Sequence, residues 1–294
     1  MRKIVFVVFV LRSMTATAQE KPDSAASRTA VTPQSPVDLA GATFQTTLGS
    51  VVGTAPPEDS RDTLSSATPV AGSDGAMHWG SFLRQWSLYI GVENAERLIM
   101  ERKTRAQLSG RYFHDWFSVV TNYQYGRWDD GDKFFTSYFG HPAQGAIVEA
   151  IFWQNNDHVR FADQDFHSAA YRKALLQAFA FATIDAVQWK LGPAGEATIG
   201  HVGLYPTLNK WGLPTRDGND TGLNDLVMNE VGGTAMMIGF QWLDKHFQKP
   251  MENRIRSRGL INSMRVLTNP PQSMANIFRF KKPWYRDNRE PQQR

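Results

Sequence analysis

Residues 168–193, SAAYRKALLQAFAFATIDAVQWKLGP, decide the fold. The run holds no proline or glycine until Gly192-Pro193, a pair that ends a helix because glycine releases the last turn and proline cannot continue it. From Ala174 to Val187 only Gln177, Thr183 and Asp185 are polar. A helix from about Ser168 to Lys190 is therefore apolar nearly all round and needs cover on every side.

The flanking sequence supplies that cover. Upstream, residues 81–108 contain one glycine and place Leu83, Trp86, Ile90 and Leu98 among Glu93, Glu96, Arg97 and Glu101, the pattern of an amphipathic helix broken near Gly91. Residues 111–128 are dense in aromatics and fit helix or strand. A turn follows at Asp129-Asp130-Gly131-Asp132. Gly140-His141-Pro142 then sets proline at the first position of a helix, with His141 just outside it, running to about Trp153. Asn155-Asn156-Asp157 ends this helix. Downstream, residues 194–222 are glycine-rich and irregular, and Asn224 is a good N-cap for a helix to about Phe247. Small residues at Gly232, Gly233, Ala235 and Gly239 let another backbone approach that helix closely. The expected fold is mainly α, an irregular helical bundle of four to six helices. Leu226–Leu243 has the length of a membrane span, but Asn229, Glu230 and Gln241 are costly in hydrocarbon, which favours a bundle outside the bilayer.

The 294 residues are 41% hydrophobic and 20% charged, which excludes a wholly disordered chain and a many-pass transporter. The absence of cysteine excludes disulfides, thiolate metal sites and a cysteine nucleophile. Residues 1–18 combine Arg2 and Lys3, an apolar run from Ile4 to Leu11, and Ala16-Thr17-Ala18, the pattern of a secretory signal peptide. Eight apolar helical residues cover about 12 Å of an apolar core about 30 Å thick, too little for an anchor. Residues 19–76 are Ala, Ser, Thr, Pro or Gly at 36 of 58 positions and carry one aromatic, Phe44. Such a segment cannot bury enough apolar surface to order itself and reads as a disordered linker. The helical domain is expected over 77–248, with a basic, aromatic C-terminal segment, 249–294, packed on or extending from it. Together these features place the protein in the periplasm or cell envelope.

The candidate chemistry lies at polar groups that packing alone does not explain. Asp132 and His141 belong to the densest polar patch, and Gly145 and Glu149 follow His141 at i+4 and i+8 on one stripe of helix. In a cleft, His141 is a base, Glu149 supports it and Gly145 makes room for a ligand; the competing reading is a solvated turn with a capping histidine. Asp225 and Asn229 lie one turn apart, and Asn229 sits among Leu226, Val227, Met228 and Val231, where a buried amide needs partners. Asp185 raises the same question for a carboxylate, with Arg172 or Lys190 as the expected partner. Glu196 stands in the glycine-flanked stretch AGEATIGHVG with His201. No metal-ligand spacing, phosphate loop or serine-hydrolase motif is present, so no metal and no cofactor is called for. From Lys249 onward there are 11 basic and 3 acidic residues. Arg279, Lys281, Lys282, Trp284 and Arg286 interleave charge with rings in a way suited to an anionic membrane surface. Nucleic acid is not expected as a partner of an exported protein.

Several of these elements together resemble an uncharacterised family of bacterial envelope proteins. They are Trp128-Asp129-Asp130-Gly131-Asp132, Tyr138-Phe139-Gly140-His141-Pro142-Ala143-Gln144-Gly145, Leu191-Gly192-Pro193 with Glu196, Asn224-Asp225-Leu226 with Gly232-Gly233, and Asn269-Pro270 with Pro283-Trp284. More loosely, Asp132-Lys133 with His141, then Asp225-Leu226 with Asn229 and Gly232, is similar to the pattern of VanZ-like helical membrane proteins. The resemblance implies an envelope location and a helical body, without a reaction. The first functional expectation is a domain at a membrane surface that binds a lipid or envelope component. The alternative is a hydrolase or transferase on lipid or cell-wall precursors, with His141 as base and Asp132 and Asp225 orienting it or holding a cation. A scaffold for another envelope protein, joined through Gly232 and Gly239, is the third.

Overall fold

The computed structural model describes residues 77–100, 104–105, 111–160, 165–200, 202–204 and 221–289. The signal-peptide and linker expectations for residues 1–76 lie outside them, as does His201. Helices in chain order are α1 (Trp79–Met100), α2 (Tyr112–Thr121), α3 (His141–Trp153), α4 (Asp157–Arg160), α5 (Ala169–Leu191), α6 (Asn224–Val227), α7 (Gly233–Leu243), α8 (Lys249–Glu252), α9 (Arg258–Thr268) and α10 (Pro270–Phe278). The described residues are mainly helical and contain no strand beyond one isolated bridge between Met77 and Asn156. None of their helices is long and apolar enough to cross a membrane.

Helix α3 is the centre of the body: every residue from His141 to Trp153 except Gln144 is buried. It packs against α5, α7, α10 and the π-helical segment Met228–Gly232. The α5 run quoted first thus lies against an even more enclosed helix. Ser168 caps α5 by accepting from the Tyr171 N–H at 3.1 Å, and Gly192 ends it. The core includes Phe82, Phe152 and Phe181, whose ring centroids lie 4.8 to 5.6 Å apart. Beside them, Gln85 and Gln154 are buried and joined to each other, to Asn155 and to the Ala275 carbonyl, which ties α1, the end of α3 and α10 together.

Close helix packing comes from glycines. A Cβ on Gly145 would overlap the Asn229 carbonyl oxygen, and one on Gly233 would stand 3.0 Å from the α3 backbone at Ala146 and Gly145. Gly232 lies under Pro142, whereas Gly239 faces open space. The small-residue face therefore serves an internal crossing, and only its outer end is free.

Two expected details are corrected. His141 is the first residue of α3 rather than just outside it, because a π-helical turn, Thr136–Gly140, runs directly into the helix. Asn224 is the first helical residue, not the cap, and is buried. Residues 112–121, which the sequence leaves open between helix and strand, form a helix. From Asn224 to Glu252 the chain is one helical rod with π-helical segments at Met228–Gly232 and Asp244–Gln248.

Candidate functional site

Chain separation disappears at the N-terminal ends of α3 and α6. The loop carrying the aspartates is stitched to the start of α6: the Leu223 and Asn224 N–H groups donate to the Arg127 and Trp128 carbonyls at 2.9 Å. Within that loop the Gly131 N–H donates to Asp129 at 3.0 Å and the Asp132 N–H to Asp130 at 3.2 Å. Gly131 makes the turn possible with φ 92°. These bonds hold Asp130 and Asp132 beside Asp225 in the first turn of α6.

His141 lies between them. Its Nε2 is 2.9 Å from Asp225 Oδ2 and 3.5 Å from Asp132 Oδ2, and its Nδ1 is 2.8 Å from Gln144 Oε1. The imidazole and Asp225 are buried, while about half of the Asp132 side chain reaches solvent. Lys190, at the end of α5, donates to the same Asp225 oxygen and to Glu196, the latter at 2.7 Å, and stands 3.9 Å from Asp130. Arg97 of α1 closes the chain on Glu196 at 2.7 Å. Three π-helical segments adjoin this cluster: one ends at Gly140, one begins at Glu196 and one contains Asn229. Such extra-residue turns frequently mark functional positions in helices.

The charges set one another. Burial opposes ionisation of His141, but the carboxylates of Asp132 and Asp225 outweigh it and lift the imidazole to about 9. Burial would likewise raise Asp225, yet Lys190 and His141 hold it below the usual carboxylate range. Glu196 is lowered in the same way, against its burial, by Lys190 and Arg97. Asp130 goes the other way, pushed up by burial and by its contact with Asp225. Lys190 stays firmly charged despite burial because Glu196 and Asp225 face it. At neutral pH the centre is thus an imidazolium beside the ionised Asp225 and Glu196, with one neighbouring acid, Asp130, held neutral. Groups with pKa values pushed apart in this way can exchange protons with a bound substrate.

The other candidates separate from this centre. Gly145 is the contact point with Asn229, so its missing side chain admits a backbone rather than a ligand. Asn229 Oδ1 has no hydrogen-bond partner. Glu149 is eight residues, about 12 Å along the helix axis, beyond His141; it accepts from the Thr234 hydroxyl, and burial pushes it up to about 7. Glu196 joins the centre through Lys190. Asp185 pairs with neither Arg172 nor Lys190. It accepts from the Trp86 indole N–H at 2.5 Å, and burial raises it to about 7. Glu93 and Tyr89 share that interior, Glu93 raised by burial and by Asp185.

Asp185 has a consequence for stability. Its carboxyl rises from 3.8 to about 7, so the folded state keeps a proton that the unfolded chain has already released. The stability this confers is complete below about pH 4 and is lost as pH rises to about 7. Asp185→Asn, which can still accept from Trp86, should melt above the parent at pH 8 and beside it at pH 4 in thermal denaturation followed by circular dichroism.

The basic C-terminal residues do not form one exposed surface. Arg279 ion-pairs with Asp287 at 2.7 Å, and Arg286 is buried, donating to the Pro283 and Tyr285 carbonyls. Arg265 and Arg289 bind Glu252, and Arg289 also binds Asp244. The expectation of a membrane face is therefore corrected at Arg279 and Arg286, whose charges are spent internally. Lys281 and Lys282 are exposed beside Phe280, and Trp284 is half-buried.

Lys190 and Arg97 are the members of the centre that sequence reasoning did not assign to it. The only signal is a basic residue in the last turn of a helix, which the helix dipole explains without a site. Comparison of the chain with family models, curated proteins and solved structures finds no match.

Proposed function

We propose that this chain is an enzyme, a hydrolase or transferase acting on an amphiphilic envelope substrate such as a lipid or lipid-linked cell-wall precursor. The observation that carries the reading is the meeting of Asp132, His141 and Asp225, from separate segments, within hydrogen-bonding reach at a buried position that opens to solvent through Asp132. A solvated turn has no need of a buried imidazole set against a buried carboxylate and a buried lysine. In this reading Asp132 and His141 face the substrate, Asp225 orients the imidazole, and Lys190 with Glu196 and Arg97 keeps Asp225 ionised.

The amphiphilic character of the substrate rests on the surface next to this centre. A groove of about 190 Å³ is lined by Phe135, Phe139, Ala143, Met236, Phe240 and Met274, and its lining includes Gly140. Gly140 and Ala143 flank His141 in sequence, so the same helical turn offers an apolar groove on one side and the charged centre on the other. Exposed Phe134 and Phe139 extend the apolar surface. The envelope setting rests on the sequence of residues 1–18.

The test is turnover of a panel of phospholipids and lipid-linked phosphoesters by the full chain. Wild type should cleave or transfer at least one of them. His141→Gln and Asp132→Asn should lower kcat/KM by at least about 100-fold, the lower range for a lost acid–base group. No turnover across the panel, or turnover equal in both variants, would remove the reading.

A further inference from the structure

We propose that Asp132, His141 and Asp225 hold a divalent cation. The site rests on the location of the proposed centre, but its test needs no turnover. One ligand atom from each residue lies within 4.8 Å of the others. The separations of 2.9 and 3.5 Å at His141 Nε2 match the edges of a coordination shell with bonds of about 2.0–2.2 Å, where neighbouring ligand atoms stand about 3 to 3.5 Å apart.

A second set of observations points the same way. The Nδ1 contact to the Gln144 amide oxygen places a proton on Nδ1 and turns Nε2 toward the two carboxylates. A divalent cation bound at this point would take the place of the Nε2 proton between the two carboxylates, since a metal-ligating imidazole gives up that proton. Although Asp225 is near, no acceptor lies along the Nε2–H direction, and this buried nitrogen has no aligned hydrogen-bond partner. Asn224 Oδ1 is also buried without a hydrogen-bond partner, and so are Asp225 Oδ1 and Asp130 Oδ2, the latter 3.9 Å from the Lys190 ammonium. Buried oxygens left in this way are costly unless something binds them.

Lys190 does not occupy the place. It approaches Asp225 while also held by Glu196, and so stays beside a cation as its electrostatic neighbour. Three protein ligands, with Asp132 at the solvent edge, leave coordination positions open, as in catalytic rather than structural sites. One imidazole and two carboxylates favour Mn²⁺ or Zn²⁺ over Ca²⁺, which prefers an all-oxygen shell. A cation there supplies Lewis acidity and an activated water. Gln144 is a positioning residue that fixes the ring.

The experiment titrates chelator-treated full-length protein with Mn²⁺, following free Mn²⁺ by electron paramagnetic resonance and competing with Zn²⁺. One equivalent per chain is expected, displaced by Zn²⁺. Asp132→Asn should weaken binding by more than about 10-fold and Gln144→Leu by about 10- to 100-fold. Asp132 is half exposed, so its variant should fold, checked by an unchanged metal-free melting temperature. Asp157→Asn, at the exposed pair with His78, is the control and should bind as wild type does. Absence of saturable binding, or one-to-one binding unchanged in both Asp132→Asn and His141→Gln, overturns the site. Binding without turnover keeps the cation site and removes the enzyme reading; turnover without binding does the reverse.

Discussion

Lys190→Met should destabilise the protein by about 3–5 kcal/mol, the cost of stripping one partner from a buried ion pair. Calorimetry should show a fall in melting temperature of about 6–20 °C, at roughly 2–4 °C per kcal/mol for a domain of this size. The reason is asymmetry in what the substitution leaves behind. Glu196 retains Arg97 at 2.7 Å, but Asp225 is buried and loses the ammonium that helps keep it ionised. The methionine fills the space of the lysine stem, so the loss is electrostatic rather than steric. Lys190→Met/Asp225→Leu, which removes both members, should recover a large part of the loss, because the desolvated charge is gone. A single variant melting within 2 °C of wild type would mean that Lys190 is not paired inside the protein.

Gly145→Ala should cost about 3 kcal/mol, although alanine is the better helix former by about 1 kcal/mol. The added carbon has nowhere to go: it overlaps the Asn229 carbonyl oxygen and stands 2.7 Å from Asn229 Oδ1. A backbone carbonyl inside a packed helix cannot rotate away, so α3 and the 224–252 rod must separate. That separation also moves Asp225 relative to His141. Gly239→Ala is the matched comparison on the same rod, with nothing within 4 Å of its added carbon. It should stabilise by up to about 1 kcal/mol. Equal effects from the two substitutions, measured by urea denaturation, would contradict the close crossing.

Much of the fold is legible because helix signals are local. Ser168 and Gly192-Pro193 mark α5 to within a residue at each end, and the apolar girth of that helix announces its burial. The π-helical turn that absorbs His141 into α3 is not legible, since a single extra residue per turn leaves no compositional trace. At the centre, Asp132 and His141 belong to the densest polar patch of the sequence, whereas Asp225 reads as a first-turn carboxylate that the helix dipole explains, and the structure sets all three side by side. Lys190 and Arg97 did not stand out, because a basic residue near a helix C-terminus is ordinary. The partner of Asp185, the indole of Trp86, lies 99 residues away and depends on how α1 meets α5. Arg279 and Arg286 misled for the opposite reason. Their run of basic residues reads as surface when scanned along the chain, but the acids that receive them include Asp287 next door and Asp244, far upstream.

The account depends above all on His141 sitting between Asp132 and Asp225, and nuclear magnetic resonance titration of its ring in chelator-treated protein measures that environment. The imidazole should titrate at about 9 in wild type, well above its ordinary 6.5, and should fall markedly in both Asp132→Asn and Asp225→Asn. A ring that titrates near 6.5 and ignores both substitutions would show that the three residues do not meet.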